Sequence, residues 1–155
     1  MTNQVEVDPL WVWGEDAATP RLLHTMIRVR DIDAALRFYC DGLGMQKLDR
    51  YDFEQGRFSI IFLSYSGYRD GQAALELTYN WDQDAEYTHG SGYGHIAIGV
   101  PDVSAMWKRL GDFGGRLGTA PKSMLAGAPQ LAFVYDPDGY AIELIQINRT
   151  ATAGA

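Results

Sequence analysis

At 155 residues, 46% hydrophobic and 21% charged, the chain suits one globular domain, or two small half-domains on a shared core, rather than a disordered or fibrous protein. Its 13 Lys and Arg against 20 Asp and Glu leave a net charge of −7, which argues against nucleic acid, since phosphate binding needs clustered cations. No apolar run reaches the roughly 20 residues that span a bilayer, so no membrane partner is expected, and the single cysteine, Cys40, excludes an internal disulfide and a cysteine-built metal cluster.

Residues 1–20 read as an N-terminal extension. Met1 to Asp8 carry no Lys or Arg and no apolar stretch, so no secretory signal is expected and the cytoplasm is the expected compartment. Trp11 and Trp13 are too apolar for a free tail and are expected to pack on the domain or on a partner subunit.

From residue 21 to 147 the chain repeats itself. The segment His24-Thr25-Met26-Ile27-Arg28-Val29-Arg30-Asp31-Ile32 returns as His95-Ile96-Ala97-Ile98-Gly99-Val100-Pro101-Asp102-Val103, an offset of 95 − 24 = 71. Each copy reads as a strand followed by a helix, with Asp31 and Asp102 at the N-cap positions. Ile32, Ala35, Leu36 and Tyr39 fall at i, i+3, i+4 and i+7, as do Val103, Met106, Trp107 and Leu110, which is the spacing of an amphipathic helix. Gly42 and Gly44, then Gly111, Gly114 and Gly115, are expected to end the two helices. Cys40, on or near a helix face, is expected as buried filler.

The apolar runs Phe58 to Leu63 and Leu131 to Tyr135 predict strands. They lead to Ala74-Leu75-Glu76-Leu77 and Ala141-Ile142-Glu143-Leu144, now at an offset of 141 − 74 = 67. Asp136-Pro137-Asp138-Gly139 joins the second run to its Glu strand by strong turn chemistry. The change in offset falls in a loop, where length is tolerated. The expected fold is α+β, two pseudo-equivalent βαβββ halves at about 21–88 and 92–147, followed by a small polar tail, 148–155, that should fray. His89, in a polar loop without a repeat counterpart, is expected to be solvated.

A strand alternates its faces, so His24, Met26 and Arg28 share one side, and so do Glu76, Thr78 and Asn80. Leu75 and Leu77 face away from Glu76, and Ile142 and Leu144 face away from Glu143. A carboxylate inside an apolar strand is costly unless it is paired or metal-bound. Here it occurs twice, each time in a half that opens on a histidine. His24, Glu76, His95 and Glu143 are therefore read as one metal site, since two imidazoles and two carboxylates suit a divalent first-row ion with waters completing an octahedron.

Four stretches resemble the glyoxalase I family of the vicinal oxygen chelate superfamily: Leu22-Leu23-His24-Thr25-Met26-Ile27-Arg28-Val29, Leu75-Glu76-Leu77-Thr78-Tyr79-Asn80-Trp81, Tyr93-Gly94-His95-Ile96-Ala97 and Asp136-Pro137-Asp138-Gly139-Tyr140-Ala141-Ile142-Glu143-Leu144. The last is widespread in the superfamily, and the first two are the discriminating ones. The resemblance implies a glyoxalase-like domain and a lyase reaction, isomerisation of the hemithioacetal of methylglyoxal and glutathione to S-D-lactoylglutathione. It implies His24, Glu76, His95 and Glu143 as metal ligands, with Arg28 and Asn80 on the γ-glutamyl end of glutathione. Glu143 is the expected catalytic base and Glu76 its pseudo-symmetric partner. A histidine at position 24 and a short Glu76–His95 loop are similar to the bacterial type that prefers Ni²⁺ or Co²⁺ over Zn²⁺. The family is homodimeric, with each site at the subunit interface, assembled from the N-half of one subunit and the C-half of the other.

One stretch departs from that pattern. Where the family carries a Lys-Gly-Gly loop, residues 120–130 are longer and more apolar, and Lys122 is their single cation. Lys122 is the residue left to meet the glycyl end of glutathione. Two other readings stay open on the residues alone. An extradiol dioxygenase would use a 2-His-1-carboxylate iron site, against which Glu76 stands as a fourth donor. A metal-free small-molecule binding protein could share the fold, against which the intact set of four donors stands.

Overall fold

A computed structural model describes residues 18–66 and 72–148. Trp11, Trp13 and residues 149–155 of the tail lie outside the described residues. The described residues form two compact units, one from 18–32, 44–66 and 72–86, the other from 33–43 and 87–148.

The first unit is a four-stranded sheet. Its strands are β1 (His24–Arg28), β2 (Gln46–Phe53), β3 (Phe58–Ser64) and β4 (Ala74–Asn80), in the order β1-β4-β3-β2. β1 runs parallel to β4, and the other pairs are antiparallel. The register lines up Ile27, Leu77 and Ile61 across three strands, and all three are buried. The next row on the opposite face is Met26, Glu76 and Phe62. Apolar side chains thus close one face, as alternation dictates, and lift Glu76 onto the other.

The second unit repeats the plan with β5 (Ile96–Val100), α2 (Val103–Asp112), β6 (Arg116–Leu117), β7 (Lys122–Ser123), β8 (Gln130–Tyr135) and β9 (Ala141–Gln146). The sheet order is β5-β9-β8-β6, with β7 also pairing β8. β5 is parallel to β9, as β1 is to β4. Ile98, Leu144 and Ala132 form the buried row; Ala97, Glu143 and Phe133 form the row on the other face. The architecture is α+β, two βαβββ halves, as the internal repeat predicts.

Helix α2 buries Val103 and Leu110, and Asp102 caps it by accepting a 2.9 Å bond from the Ala105 amide. It runs through Gly111 to Asp112, so Gly111 does not end it as expected. The left-handed turn comes at Gly114, where φ is +88°, a conformation glycine adopts without steric cost. Helix α1 is α-helical only over Ile32–Leu36 and widens to a π-helix over Arg37–Gly42. That widening shifts the expected apolar stripe: Ala35, Phe38 and Tyr39 are wholly buried, while Ile32 and Leu36 are half-buried. Cys40 is rotated into a half-buried position, not the buried one expected. The ends of the two helices are tied by Arg37 donating to the Asp112 carbonyl, and by Arg109 donating to the carbonyls of Asp41 and Gly42.

The turn before β9 is built by Asp136. Its Oδ1 accepts from the amides of Asp138 at 2.9 Å and Tyr140 at 2.8 Å, and Gly139 takes φ +85°. This turn aims β9, and with it Glu143.

Candidate metal centre

In the first unit His24 opens β1 and Glu76 sits mid-strand in β4. The parallel register places Glu76 beside Met26, one step along the same face of the sheet from His24. There His24 Nε2 lies 2.9 Å from Glu76 Oε2. The Thr78 hydroxyl donates to Glu76 Oε1 at 3.3 Å, and Thr78 is itself buried. Glu76 is thus gripped by a neighbour two residues along its own strand.

The second unit reproduces this arrangement. His95 stands directly before β5, and its Nε2 lies 3.0 Å from Glu143 Oε2. Both glutamates are nearly buried, at 14% and 15% side-chain exposure, whereas both histidines reach solvent at 31% and 43%. Each pair is therefore anchored at its acidic end and open at its imidazole end. Among the described residues, no third His, Cys, Asp or Glu joins either pair to make a larger cluster.

Arg28 ends β1 and is exposed; Asn80 ends β4 and is half-buried. In this parallel pair Arg28 lies beside Thr78. Arg28 is four residues beyond His24, and Asn80 four beyond Glu76, which is about 13 Å along either strand. Both lie on the His24 and Glu76 side by alternation. Lys122, exposed in β7, pairs with Leu131, which pairs in turn with Ile145. Residues directly opposite in antiparallel strands share a face, so Lys122 stands on the Glu143 side of its sheet. Two strand spacings and two residues separate them, about 12 Å between Cα positions.

Several features of this region were not foreseen. The Phe62 ring meets the His24 ring edge-on, with centroids 5.5 Å apart and planes at 69°. Phe133 meets His95 in the same manner, at 5.5 Å and 79°. The offset 133 − 62 = 71 equals that of the histidines and was the available signal. His89, expected to be solvated, is half-buried and stacks on Tyr140 with centroids 4.1 Å apart and planes at 15°. A flat imidazole gains more by covering an aromatic face than by standing in water, and this overrides the polar composition of its loop.

Residues 21–144 match the family described as the Glyoxalase/Bleomycin resistance protein/Dioxygenase superfamily. A probable lactoylglutathione lyase of Synechocystis sp. is 49% identical over 127 residues, covering 82% of this chain and 95% of the relative. Among solved structures, the trypanothione-dependent glyoxalase I of Leishmania major superimposes with a TM-score of 0.71 at 39% identity, covering 83% of this chain and 87% of that one. Glyoxalase I of Zea mays gives a TM-score of 0.76 at 35% identity over 84% of this chain, and this chain spans only 46% of the maize protein's length.

Proposed function

The chain belongs to the Glyoxalase/Bleomycin resistance protein/Dioxygenase superfamily and, within it, to the lactoylglutathione lyase family, and on that premise we propose that it isomerises the hemithioacetal of methylglyoxal and glutathione to S-D-lactoylglutathione. The observation that carries this reading is the pair of matched His–Glu contacts, one in each half, at 2.9 and 3.0 Å. Two donors each about 2.1 Å from a metal, the usual length of such bonds, and at a right angle to one another stand about 3 Å apart. Imidazole nitrogen and carboxylate oxygen also suit a divalent first-row ion. His24, Glu76, His95 and Glu143 are the proposed ligands, with Ni²⁺ or Co²⁺ rather than Zn²⁺ as the best activator. Two donors per half are too few for an octahedral ion. In the proposed homodimer the N-half of one subunit and the C-half of its partner together complete each site.

The chemical problem is a C–H bond beside a carbonyl, too weakly acidic to ionise at neutral pH. The ion, when bound, supplies Lewis-acid stabilisation of the negative charge that develops on the substrate oxygens. The Glu143 carboxylate takes the proton from one carbon and returns it to the next, as general base and then general acid. Glu76 holds the equivalent place in the other half. His24 and His95 offer imidazole nitrogens as the other donors of the site.

Substrate grip falls to residues at the far ends of the ligand-bearing faces. Arg28 pairs with the α-carboxylate of the γ-glutamyl group, and Asn80 hydrogen-bonds beside it. Lys122 meets the glycyl carboxylate. The cytoplasm is the compartment proposed for this enzyme. Among the described residues no helix is long and apolar enough to cross a membrane.

The test strips the full-length protein with chelator, returns single ions, and follows formation of the thioester from the hemithioacetal. The reading requires no turnover in the stripped protein and restoration by Ni²⁺ or Co²⁺. Turnover that survives stripping contradicts the metal site, and best restoration by Zn²⁺ contradicts the metal preference.

A further inference from the structure

We propose that Phe62 and Phe133 are positioning residues for metal binding, each holding one histidine ring so that its Nε2 stays against its glutamate. This inference rests on the metal site proposed above. Phe62 is the direct antiparallel partner of Glu76, and Phe133 of Glu143. Cross-strand partners share a face and bring their Cβ atoms within about 5.5 Å. Each phenylalanine therefore stands beside the carboxylate on the strand next to it.

The same ring also meets the histidine two strands away, edge to face at 5.5 Å in both halves. One aromatic side chain on a third strand thus packs on the histidine and stands, by register, beside the glutamate. An isolated imidazole on a strand end turns broadly about χ2. A ring packed against it at 69° or 79° leaves the orientation in which Nε2 points to the glutamate, at 2.9 or 3.0 Å. Aromatic carbon offers no competing hydrogen bond, so the carboxylate oxygen nearest the histidine stays available to it.

The recurrence makes this more than core packing. Phe62 is 2% exposed, while Phe133 is only half-buried. Burial therefore differs between the halves, yet the ring distances agree. Both phenylalanines keep the offset of 71 that relates His24 to His95. Other residues of the two strands need not match at that offset: Ile60 falls on Leu131 and Leu63 on Val134.

The experiment measures Ni²⁺ affinity by calorimetry on full-length, chelator-stripped protein. Phe133→Leu keeps an apolar side chain of similar reach but removes the flat ring. Edge-to-face pairs are worth about 0.5–1.5 kcal/mol, so Ni²⁺ binding should weaken by about 2- to 12-fold. Phe133→Tyr keeps the ring and should stay within about twofold of wild type. Phe38→Leu is the control, since Phe38 is wholly buried in the same unit and packs on Tyr39 rather than on a histidine. It should lower the melting temperature and leave Ni²⁺ affinity unchanged. If Phe133→Leu also lowers only the melting temperature, Phe133 is a core residue and the proposal fails. His95→Ala separates this from failure of the underlying reading: if it binds Ni²⁺ as wild type does, the metal site itself is wrong, whatever Phe133→Leu does.

Discussion

Tyr39 donates a 2.6 Å hydrogen bond to Asp136 Oδ2, a buried contact between residues 97 apart in sequence. The other oxygen of Asp136 organises the turn that aims β9, so one carboxylate links helix α1 to the strand that carries Glu143. Burial is the main cause that pushes Asp136 from 3.8 up to about 6, and the Tyr39 bond is the strongest influence in the opposite direction. Burial also holds the Tyr39 phenol well above its ordinary value, so it remains a donor.

The consequence for stability has a definite sign. Because the folded pKa of Asp136 is raised, its proton favours the folded state. That contribution is fully present below about pH 4 and is lost as pH rises through about 6, amounting to about 3 kcal/mol. Tyr39→Phe removes a bond that favours the ionised form. It should cost about 1.5–3 kcal/mol at pH 8 and clearly less at pH 5, where Asp136 is mostly protonated. Urea unfolding of both proteins at the two pH values checks this; a penalty independent of pH would show that Tyr39 contributes only packing.

Arg28→Ala tests the γ-glutamyl grip. A charge-assisted bond to a carboxylate contributes roughly 1.5–3 kcal/mol, so KM should rise by about one to two orders of magnitude. Metal content should be unchanged, since Arg28 lies four residues beyond His24. Steady-state kinetics on metal-loaded protein decide it, and an unaltered KM removes Arg28 from the site.

Lys122 is exposed and its proposed contact is a single point charge, so its effect is smaller. Lys122→Gln should raise KM for the glutathione hemithioacetal by about 3- to 10-fold, as the loss of an exposed ion pair worth about 1 kcal/mol predicts. The increase should disappear when the thiol is γ-glutamylcysteine, which lacks the glycyl carboxylate. An equal increase with both thiols would place the role of Lys122 elsewhere.

The fold was largely legible because its two halves report on each other. A strand-helix segment seen once is ambiguous, whereas one seen twice at an offset of 71, with its apolar positions kept, is a repeated structural unit. The glutamates stood out because Leu75-Glu76-Leu77 and Ile142-Glu143-Leu144 each set an acid among apolar neighbours. What stayed hidden depends on contacts between distant residues. The π-helical turn at Arg37–Gly42 moves Phe38 into the core, and no local period announces it. Phe62 reads as one more apolar residue until the register sets it beside Glu76. His89 looked solvated because the Tyr140 face that it covers lies 51 residues away (140 − 89).

The most direct test of the central claim is the turnover of metal-loaded Glu143→Gln beside metal-loaded Glu76→Gln. Gln keeps the side-chain size and one oxygen donor but removes the basic carboxylate. Metal should still bind, more weakly, because three of the four proposed ligands remain. With occupancy matched by metal analysis, thioester formation by Glu143→Gln should fall by at least the 10²–10⁴-fold typical of a lost general base, and much further than in Glu76→Gln. Equal losses would mean that the two carboxylates share the proton transfer, while near-wild-type turnover by metal-loaded Glu143→Gln would contradict the mechanism.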